Sequence, residues 1–461
     1  MLKNIIGKIL YYNRKLETAH YVLLSFATAI LLGGILLHLP ISNIDYKPLP
    51  WVNSFFMATS AVCVTGLSLY NIGEYFTFFG QLIILLLIQF GGLGIMTFST
   101  FFLLFFKGKM SLKSRFLIKE TLADSPDVYN IKKLLYKIVL YTFVIEFVGA
   151  VIIYLSLPEG QRTIFNAIFH SVSAFCNAGF SLYSTSLENF SNNYLLVLTV
   201  GFLIILGGLG VVVIRDLFLL LKLPFRQWWN KINLQSKVVI SVTFILLLAG
   251  TFAFVFTEKN TTLSNKSLSY KIVNAFFQSL TTRTAGFNSL KMSNLSDSTY
   301  VIMAILMFIG GSPGSTAGGI KTTTFAIIMG IIFMVIRNKK EVVLFRRKIP
   351  NDLIFKAITL TVLSIMLIIF ITCVLLMTEN YHSPIFTKHG KFLTLLFETI
   401  SAFGTVGLST GITPYLSNMG KCLITLLMYI GRVGPLTLFI VFAELEKPLN
   451  LSYPEGKLMI G

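Results

Sequence analysis

Ser60-Ala-Val-Cys-Val-Thr-Gly66, Ser173-Ala-Phe-Cys-Asn-Ala-Gly179, Leu280-Thr-Thr-Arg-Thr-Ala-Gly286 and Ser401-Ala-Phe-Gly-Thr-Val-Gly407 are four versions of one short segment. In each version a Phe stands ten residues before the glycine (Phe56, Phe169, Phe276, Phe397), and a large apolar residue follows it (Leu67, Phe180, Phe287, Leu408). Successive glycines are 113, 107 and 121 residues apart. An interval of that size holds two membrane-crossing helices and a connecting segment, so the repetition is a statement about fold. Four equivalent backbone-lined loops in one chain are what a cation passage requires when it is not assembled from four subunits.

Composition places these loops in a membrane. Of 461 residues 55% are hydrophobic and only 12% charged, against roughly 25% charged in a soluble chain. The apolar stretches 20–39, 78–106, 134–157, 194–221, 236–257, 299–336, 352–377 and 419–443 each reach the ~20 residues that a span requires. Eight spans give two per repeat. The first is read as a span and not as a cleaved signal peptide, because its apolar run is long and Pro40 follows it. The net charge of +19 reflects topology. Lys and Arg crowd the N-terminus (Lys3, Lys8, Arg14, Lys15) and regions 107–137, 222–237 and 337–356, while 40–50, 157–165 and 378–391 hold few. The positive-inside rule makes the basic side cytoplasmic, with both termini there in a multi-pass protein of the cell membrane. The same residues suit contact with anionic membrane lipids. No basic region has the interleaved aromatics of a nucleic-acid module, so no nucleic-acid partner is expected.

The expected architecture is an all-α membrane protein with four repeats of helix, pore loop and helix, arranged pseudo-fourfold around a single central pore. Repeat one covers 1–130 (outer helix 20–39, pore loop 53–67, inner helix 78–106) and repeat two 131–230. Repeat three covers 231–345 and repeat four 346–461, ending in a short tail. Pore segments of about ten residues are too short to span, so they read as re-entrant half-helices whose carboxyl ends aim at the loops. Each such end carries roughly half a negative charge, which favours a cation. The candidate ion ligands are backbone carbonyls of Val64, Thr65, Gly66, Asn177, Ala178, Gly179, Thr284, Ala285, Gly286, Thr405, Val406 and Gly407. A loop presenting successive carbonyls needs dihedrals that L-residues resist, hence the glycine.

The inner helices carry a second repeated mark: Gly91-Gly92-Leu-Gly94, Gly207-Gly208-Leu-Gly210, Gly310-Gly311-Ser-Pro313-Gly314 and Gly431-Arg-Val-Gly434-Pro435. Such clusters allow either close packing or a helix break, and in repeats one and two both readings stand. Repeat three differs. Gly310, Gly311, Ser312, Pro313, Gly314, Ser315, Thr316, Ala317, Gly318 and Gly319 cannot continue a helix, since Pro costs ~3 kcal/mol and each Gly up to ~1 kcal/mol. This intramembrane loop is the expected gate. The run Gly314–Thr322 imitates a phosphate-binding loop, but Ile320 separates glycine from Lys321 and no strand precedes it, so ATP binding is rejected.

Arg432 falls about thirteen residues into its span, roughly 20 Å along the axis, where a lipid-facing Arg costs at least ~2.5–3.5 kcal/mol. It either pairs with carbonyls between helices or sets a positive charge in the ion path, holding the gate loop by hydrogen bonds. Lys321 either joins it or snorkels. Arg283, three residues before Gly286, is expected to point behind its loop and to donate to loop carbonyls. Glu398 and Glu146 are acidic groups at membrane depth with structural partners. The four cysteines, Cys63, Cys176, Cys373 and Cys422, read as packing groups. No triad, metal cluster or carboxylate pair points to an enzyme. The competing class, a sodium- or proton-coupled secondary carrier of another solute, would show midplane acidic or His residues and inverted repeats; only Glu146 fits it.

The glycine repeats, Gly310–Thr323 and the run Gly431-Arg-Val-Gly-Pro435 resemble the Trk/Ktr/HKT superfamily of potassium transporters, and the resemblance covers nearly the whole chain. With no helix pair ahead of the first repeat and a short tail (Tyr453–Gly461), it is most similar to the KtrB-type subunits of bacterial Ktr systems. The resemblance implies a potassium-channel-like arrangement within one chain, homodimerisation, and uptake of potassium that is often sodium-dependent, sodium acting as activator. It also implies a cytoplasmic ring of nucleotide-binding RCK (KtrA-like) subunits that gates the pore, and no organic cofactor. It assigns Gly66, Gly179, Gly286 and Gly407 to the selectivity filter, with potassium held at the filter carbonyls, 310–319 to the gate and Arg432 to the pore. Plant members that favour sodium commonly carry serine at the first position, so Gly66 speaks for potassium.

Overall fold

The computed structural model describes residues 23–94, 131–220, 224–379 and 389–434. Repeat one consists of α1 (Leu23–His38), α2 (Trp51–Val62) and α3 (Phe78–Leu93). Repeat two has α4 (Ile131–Ser156), α5 (Ile164–Phe175), α6 (Tyr194–Leu209) and α7 (Val211–Leu220). Repeat three has α8 (Leu234–Glu258), α9 (Leu268–Thr281), α10 (Asp297–Phe308) and α11 (Thr322–Ile336); repeat four has α12 (Asn351–Thr378), α13 (Lys391–Gly404) and α14 (Asn418–Val433). A two-residue hairpin pairs Val343–Leu344 (β1) with Arg347–Lys348 (β2).

Length sets α4, α8 and α12 apart. Within α4, α8 and α12, stretches of 21, 25 and 28 residues are long and apolar enough to cross a bilayer. By contrast α2 and α5 have 12 residues and α9 and α13 have 14, about 18–21 Å at 1.5 Å per residue. That is well short of the ~30 Å hydrocarbon layer. The second crossing helix of each repeat starts on a side-chain cap: Thr77, Asn193, Ser296 and Ser417 accept from the N–H groups of Gly80, Leu196, Thr299 and Gly420. Each cap fixes where the chain turns back into the membrane layer.

Of the eight apolar stretches, 194–221 and 299–336 each hold two helices. The stretch 194–221 is α6 and α7, which meet at 104°. The stretch 299–336 is α10 and α11, separated by the irregular residues 309–321. The helix expected over 78–106 ends at Leu93 and that over 419–443 at Val433; their remaining residues lie outside the described part. In α3, α6 and α14 the helix ends for one reason. Gly94, Gly210 and Gly434 have φ of +78°, +85° and +94°, and left-handed backbone ends a right-handed helix.

Packing closes the molecule on itself. Each short helix lies against the second crossing helix of the preceding repeat: α5 on α3, α9 on α6, α13 on α10, and α2 on α14. The repeat phenylalanines Phe56, Phe169 and Phe397 are fully buried at these contacts, with Leu67, Phe180, Phe287 and Leu408 within 2% of full burial. Phe147, Phe252, Phe256 and Met377 on α4, α8 and α12 are 70–85% exposed, as side chains facing lipid should be. Cys63 and Cys176 are buried as packing predicts. Cys373 and Cys422 instead face outward, where a small apolar thiol sits in hydrocarbon at no cost.

Two carboxylates pin first to second crossing helices outside the layer. Glu258, at the end of α8, accepts from the N–H and hydroxyl of Ser296 and from the hydroxyls of Thr299, Thr261 and Thr262. Glu379, just past α12, accepts from the N–H and hydroxyl of Ser417 at 3.0 and 2.7 Å.

Candidate functional site

The four glycine loops meet in a ring. A Cβ on Gly66 would collide with the carbonyl of Ala178, one on Gly179 with Ala285, one on Gly286 with Val406, and one on Gly407 with Thr65. The order is cyclic and matches the helix packing, so the twelve residues expected to present carbonyls do come together. All four loops share one backbone alternation. Val64, Asn177, Thr284 and Thr405 are left-handed at φ +56°, +58°, +69° and +49°, and the glycines two residues on have φ of +94°, +70°, +77° and +89°. Non-glycine residues hold such dihedrals only where the surroundings over-determine them.

Hydrogen bonding says which way these loops face. The amides of Thr65, Ala178 and Val406 donate back to Ser60, Ser173 and Ser401 at 2.7–2.8 Å, and that of Ala285 donates to Thr281 at 3.0 Å. The Ser60 and Ser401 hydroxyls accept the amides of Gly66 and Gly407 at 3.1 Å. Those of Ser173 and Thr281 donate to Phe180 and Phe287 at 2.7 and 2.5 Å. Nine of the twelve loop amides are thus consumed behind the loops, those of Gly179, Thr284 and Gly286 being the exceptions among the described residues. Among the described residues none of the twelve loop carbonyls accepts a hydrogen bond, and a peptide carbonyl left unpaired at membrane depth calls for another electropositive partner. The serine six residues before the glycine was visible in three copies; repeat three has Leu280 there, and the role passes to Thr281. Its turn consequently closes over four residues and not five.

The glycine marks on the second crossing helices divide two jobs that the sequence left as alternatives. Gly91, Gly207 and Gly431 pack: a Cβ would strike the carbonyls of Val62, Phe175 and Phe403 at the ends of α2, α5 and α13. Gly94, Gly210 and Gly434 break the helix.

Residues 310–319 form a loop between α10 and α11. It is anchored by Gly310 N to Ile320 O at 2.9 Å, Ser312 N to Gly208 O at 3.1 Å, Thr316 N to Gly207 O at 3.4 Å, and Val211 N to Gly314 O at 3.2 Å. Gly207 and Gly208 were not expected to hold this loop; the terminal carbonyls that a broken helix leaves orphaned are the physical signal. Arg432 donates to Thr316 O and to Gly91 O, so it joins carbonyls between helices and grips the loop at once. Lys321 does not snorkel: its Nζ folds back onto Ala317 O at 2.5 Å. A cavity of about 140 Å3 beside the loop is bounded by Gly92, Thr142, Phe175, Gly210, Thr316 and Arg432.

Arg283 meets its expectation in position but not in bonding. It lies behind its loop, lining a void of about 20 Å3 with Thr243, Leu247 and Gly311. Its Nε is buried without a hydrogen bond, so the expected donation to loop carbonyls is absent among the described residues; the side chain lies between α6 and α8. Glu398 accepts from Ser409 at 2.9 Å and from Thr413. Glu146 accepts from Gln89 at 3.2 Å. Both are held by polar neighbours from adjoining segments.

On the opposite side of the ring from that loop's anchor, a cavity of about 410 Å3 is lined by all four glycines, Gly66, Gly179, Gly286 and Gly407, and by Glu188 and Lys291. Burial pushes the Glu188 carboxyl above its ordinary range, a rise opposed by Lys291 and by Asn288, whose amide donates to it at 2.6 Å.

A helical bundle with crossing helices, half-length helices and irregular backbone enclosed at membrane depth defines an integral membrane protein whose loops line an internal cavity. The chain belongs to the TrkH family, described as cation transport proteins, which it matches over residues 4–453, as the motif resemblance implied. It is 38% identical over 443 residues to Ktr system potassium uptake protein B of Bacillus subtilis, covering 95% of each chain. It is also 38% identical over 456 residues to potassium/sodium uptake protein NtpJ of Enterococcus hirae, covering 97% of this chain and 98% of that one. The solved potassium transporter TrkH from Vibrio parahaemolyticus has a TM-score of 0.70 over 91% of this chain and 83% of its own, at 18% identity, a likeness of fold.

Proposed function

We propose that this chain takes up potassium across the cell membrane through one passage along the axis of the four glycine loops. The observation that carries the reading is the ring itself: four loops in cyclic contact, whose twelve carbonyls accept no hydrogen bond among the described residues while nine of their amide hydrogens are spent on the far side. Such carbonyls replace the water shell of a bare monovalent cation, and the carboxyl ends of α2, α5, α9 and α13 add their dipoles. The four repeats (1–130, 131–230, 231–345, 346–461) then form a pseudo-fourfold pore with a filter at Val64–Gly66, Asn177–Gly179, Thr284–Gly286 and Thr405–Gly407. The potassium uptake proteins that share 38% of the sequence support the choice of ion, and NtpJ, a potassium/sodium uptake protein, supports sodium as a second cation or activator.

The loop 310–319, with Lys321 and Arg432, is the gate, closed by its bonds to Gly207, Gly208 and Arg432. The name "Ktr system" of the relatives supports a multi-subunit assembly: a homodimer of this chain on a cytoplasmic RCK ring, with both termini on that side. No catalytic chemistry is involved.

The test is rubidium or potassium uptake in cells lacking their own uptake systems, with this chain alone and with a candidate RCK partner. Saturable potassium-selective uptake is expected. Absence of cation flux in both cases, with the protein present in the membrane, would sink the reading.

A further inference from the structure

A cavity of about 610 Å3 lies between α8 and α11 and shares no residue with the glycine loops. Val238 and Val242 of α8 face Phe325, Met329 and Phe333 of α11 across it. Its size is that of a small-molecule site, roughly 300–1,000 Å3, and its walls open among residues exposed to lipid: Ile245 is 61% and Phe333 53% exposed. The mouth is of another character. Arg337 and Lys339 stand there, just past the end of α11, beside Glu341. Glu341 is ion-paired to Lys348, and among the described residues neither Arg337 nor Lys339 has an ion-pair partner. The mouth is therefore net positive.

The surroundings of that mouth have the composition of a membrane–water boundary. The β1–β2 hairpin turns at Phe345 and Arg346, both left-handed at φ +47° and +63°. The turn sets the Phe345 ring 5.9 Å from that of Trp229, and Lys237 Nζ lies 6.0 Å from the same indole. Gly330 lets the hairpin close down on α11, since a Cβ there would lie 2.9 Å from Val342. Aromatic rings and cations at one level mark the headgroup region.

A water-soluble ligand has no reason to enter so apolar a groove. A zwitterionic lipid would fill the groove but bring its own cation to the mouth. A lipid with an anionic head satisfies both ends. We propose that this groove binds an anionic phospholipid, with an acyl chain between α8 and α11 and its phosphate against Arg337 and Lys339. The site bears on transport because Thr322 N, opening α11, donates to Gly311 O at 3.1 Å; a lipid bracing α11 braces the loop 310–319. That coupling rests on the gating role proposed above, whereas the binding does not.

The experiment offers phosphatidylglycerol or phosphatidylcholine to the delipidated full-length protein and reads bound lipid by native mass spectrometry. Wild type should retain phosphatidylglycerol about tenfold better, and the Arg337→Gln/Lys339→Gln pair should abolish that preference. Ser241→Phe, at the groove wall, should reduce both lipids. Equal retention by wild type, or a preference untouched by the charge substitutions, overturns the site; those exposed positions decide the matter if Ser241→Phe misfolds. In vesicles, phosphatidylglycerol should change rubidium flux severalfold in wild type and not in the charge variant. Selective binding with identical flux overturns the coupling alone, and no flux in any lipid counts against the transport reading, leaving the binding result standing.

Discussion

The backbone N–H of Ser312 donates to the carbonyl of Gly208 across 3.1 Å. With the bonds from Thr316 to Gly207 and from Val211 to Gly314, it ties the loop between α10 and α11 to the end of a helix from another repeat. Arg432 completes the arrangement from the far side through Thr316 and Gly91. One irregular segment is thus held by the ends of α6 and α14, with the end of α3 bracing Arg432, and all three helices are stopped by a left-handed glycine.

Deleting residues 312–317 removes these bonds together. At ~1 kcal/mol net for each, losing two or three of them should raise partner-independent rubidium uptake about tenfold or more. If uptake still requires the cytoplasmic partner in full, the barrier lies elsewhere.

Arg432→Ala removes a charged donor from two carbonyls, worth ~1.5–3 kcal/mol for a charged hydrogen bond. Basal cation flux should rise severalfold. A variant with normal flux but a lowered melting temperature in detergent would give Arg432 a packing role instead.

Gly66→Ser places a side chain against the Ala178 carbonyl at φ +94°. The left-handed backbone alone costs ~1–2 kcal/mol, and the displaced carbonyl should lower the potassium-to-sodium flux ratio about tenfold. An unchanged ratio in competition uptake assays would remove this loop from the filter.

Glu188→Gln tests the cavity of about 410 Å3 lined by the four glycines. Burial holds the carboxyl above the usual carboxylate range, so it loses its charge at a higher pH than an ordinary Glu as the outside is acidified. Wild-type uptake at low potassium should fall through that window, with a higher KM, while the variant shows the higher KM at every pH. Identical pH profiles would exclude the group.

Glu258→Ala leaves the Ser296 N–H and the hydroxyls of Thr299, Thr261 and Thr262 without their acceptor. Stability should drop by about 2–3 kcal/mol, seen as a lower melting temperature in detergent, and Glu379→Ala should cost less because only Ser417 is stranded. Equal melting temperatures for all three proteins would argue against these clamps.

Much of the plan was legible along the chain because membranes impose simple rules on sequence. Apolar length marked the spans, and glycine at a fixed interval marked the loops. The broken helix at 310–319 was readable from Pro313 and its neighbours, since no tertiary contact rescues so many helix breakers at once. At Gly207-Gly208-Leu-Gly210 the sequence left packing and a break both open, because such a cluster without a proline is compatible with a straight helix. Only the packing of Gly207 against Phe175 and the loop bonds to Gly207 and Gly208 make bending the better solution. Arg283 was misjudged for a related reason: its neighbours in sequence suggested carbonyl partners, but the side chain follows the space left between α6 and α8.

By itself, then, the amino-acid order determined the number of repeats, the residues at each turn and the helical character of the whole, since these depend on local propensity and on burial in lipid. Tertiary structure alone decided that the four turns meet in cyclic order and that Arg432 reaches Thr316 and Gly91. Those relations join residues more than a hundred positions apart, and no local preference encodes which distant carbonyl a donor will find.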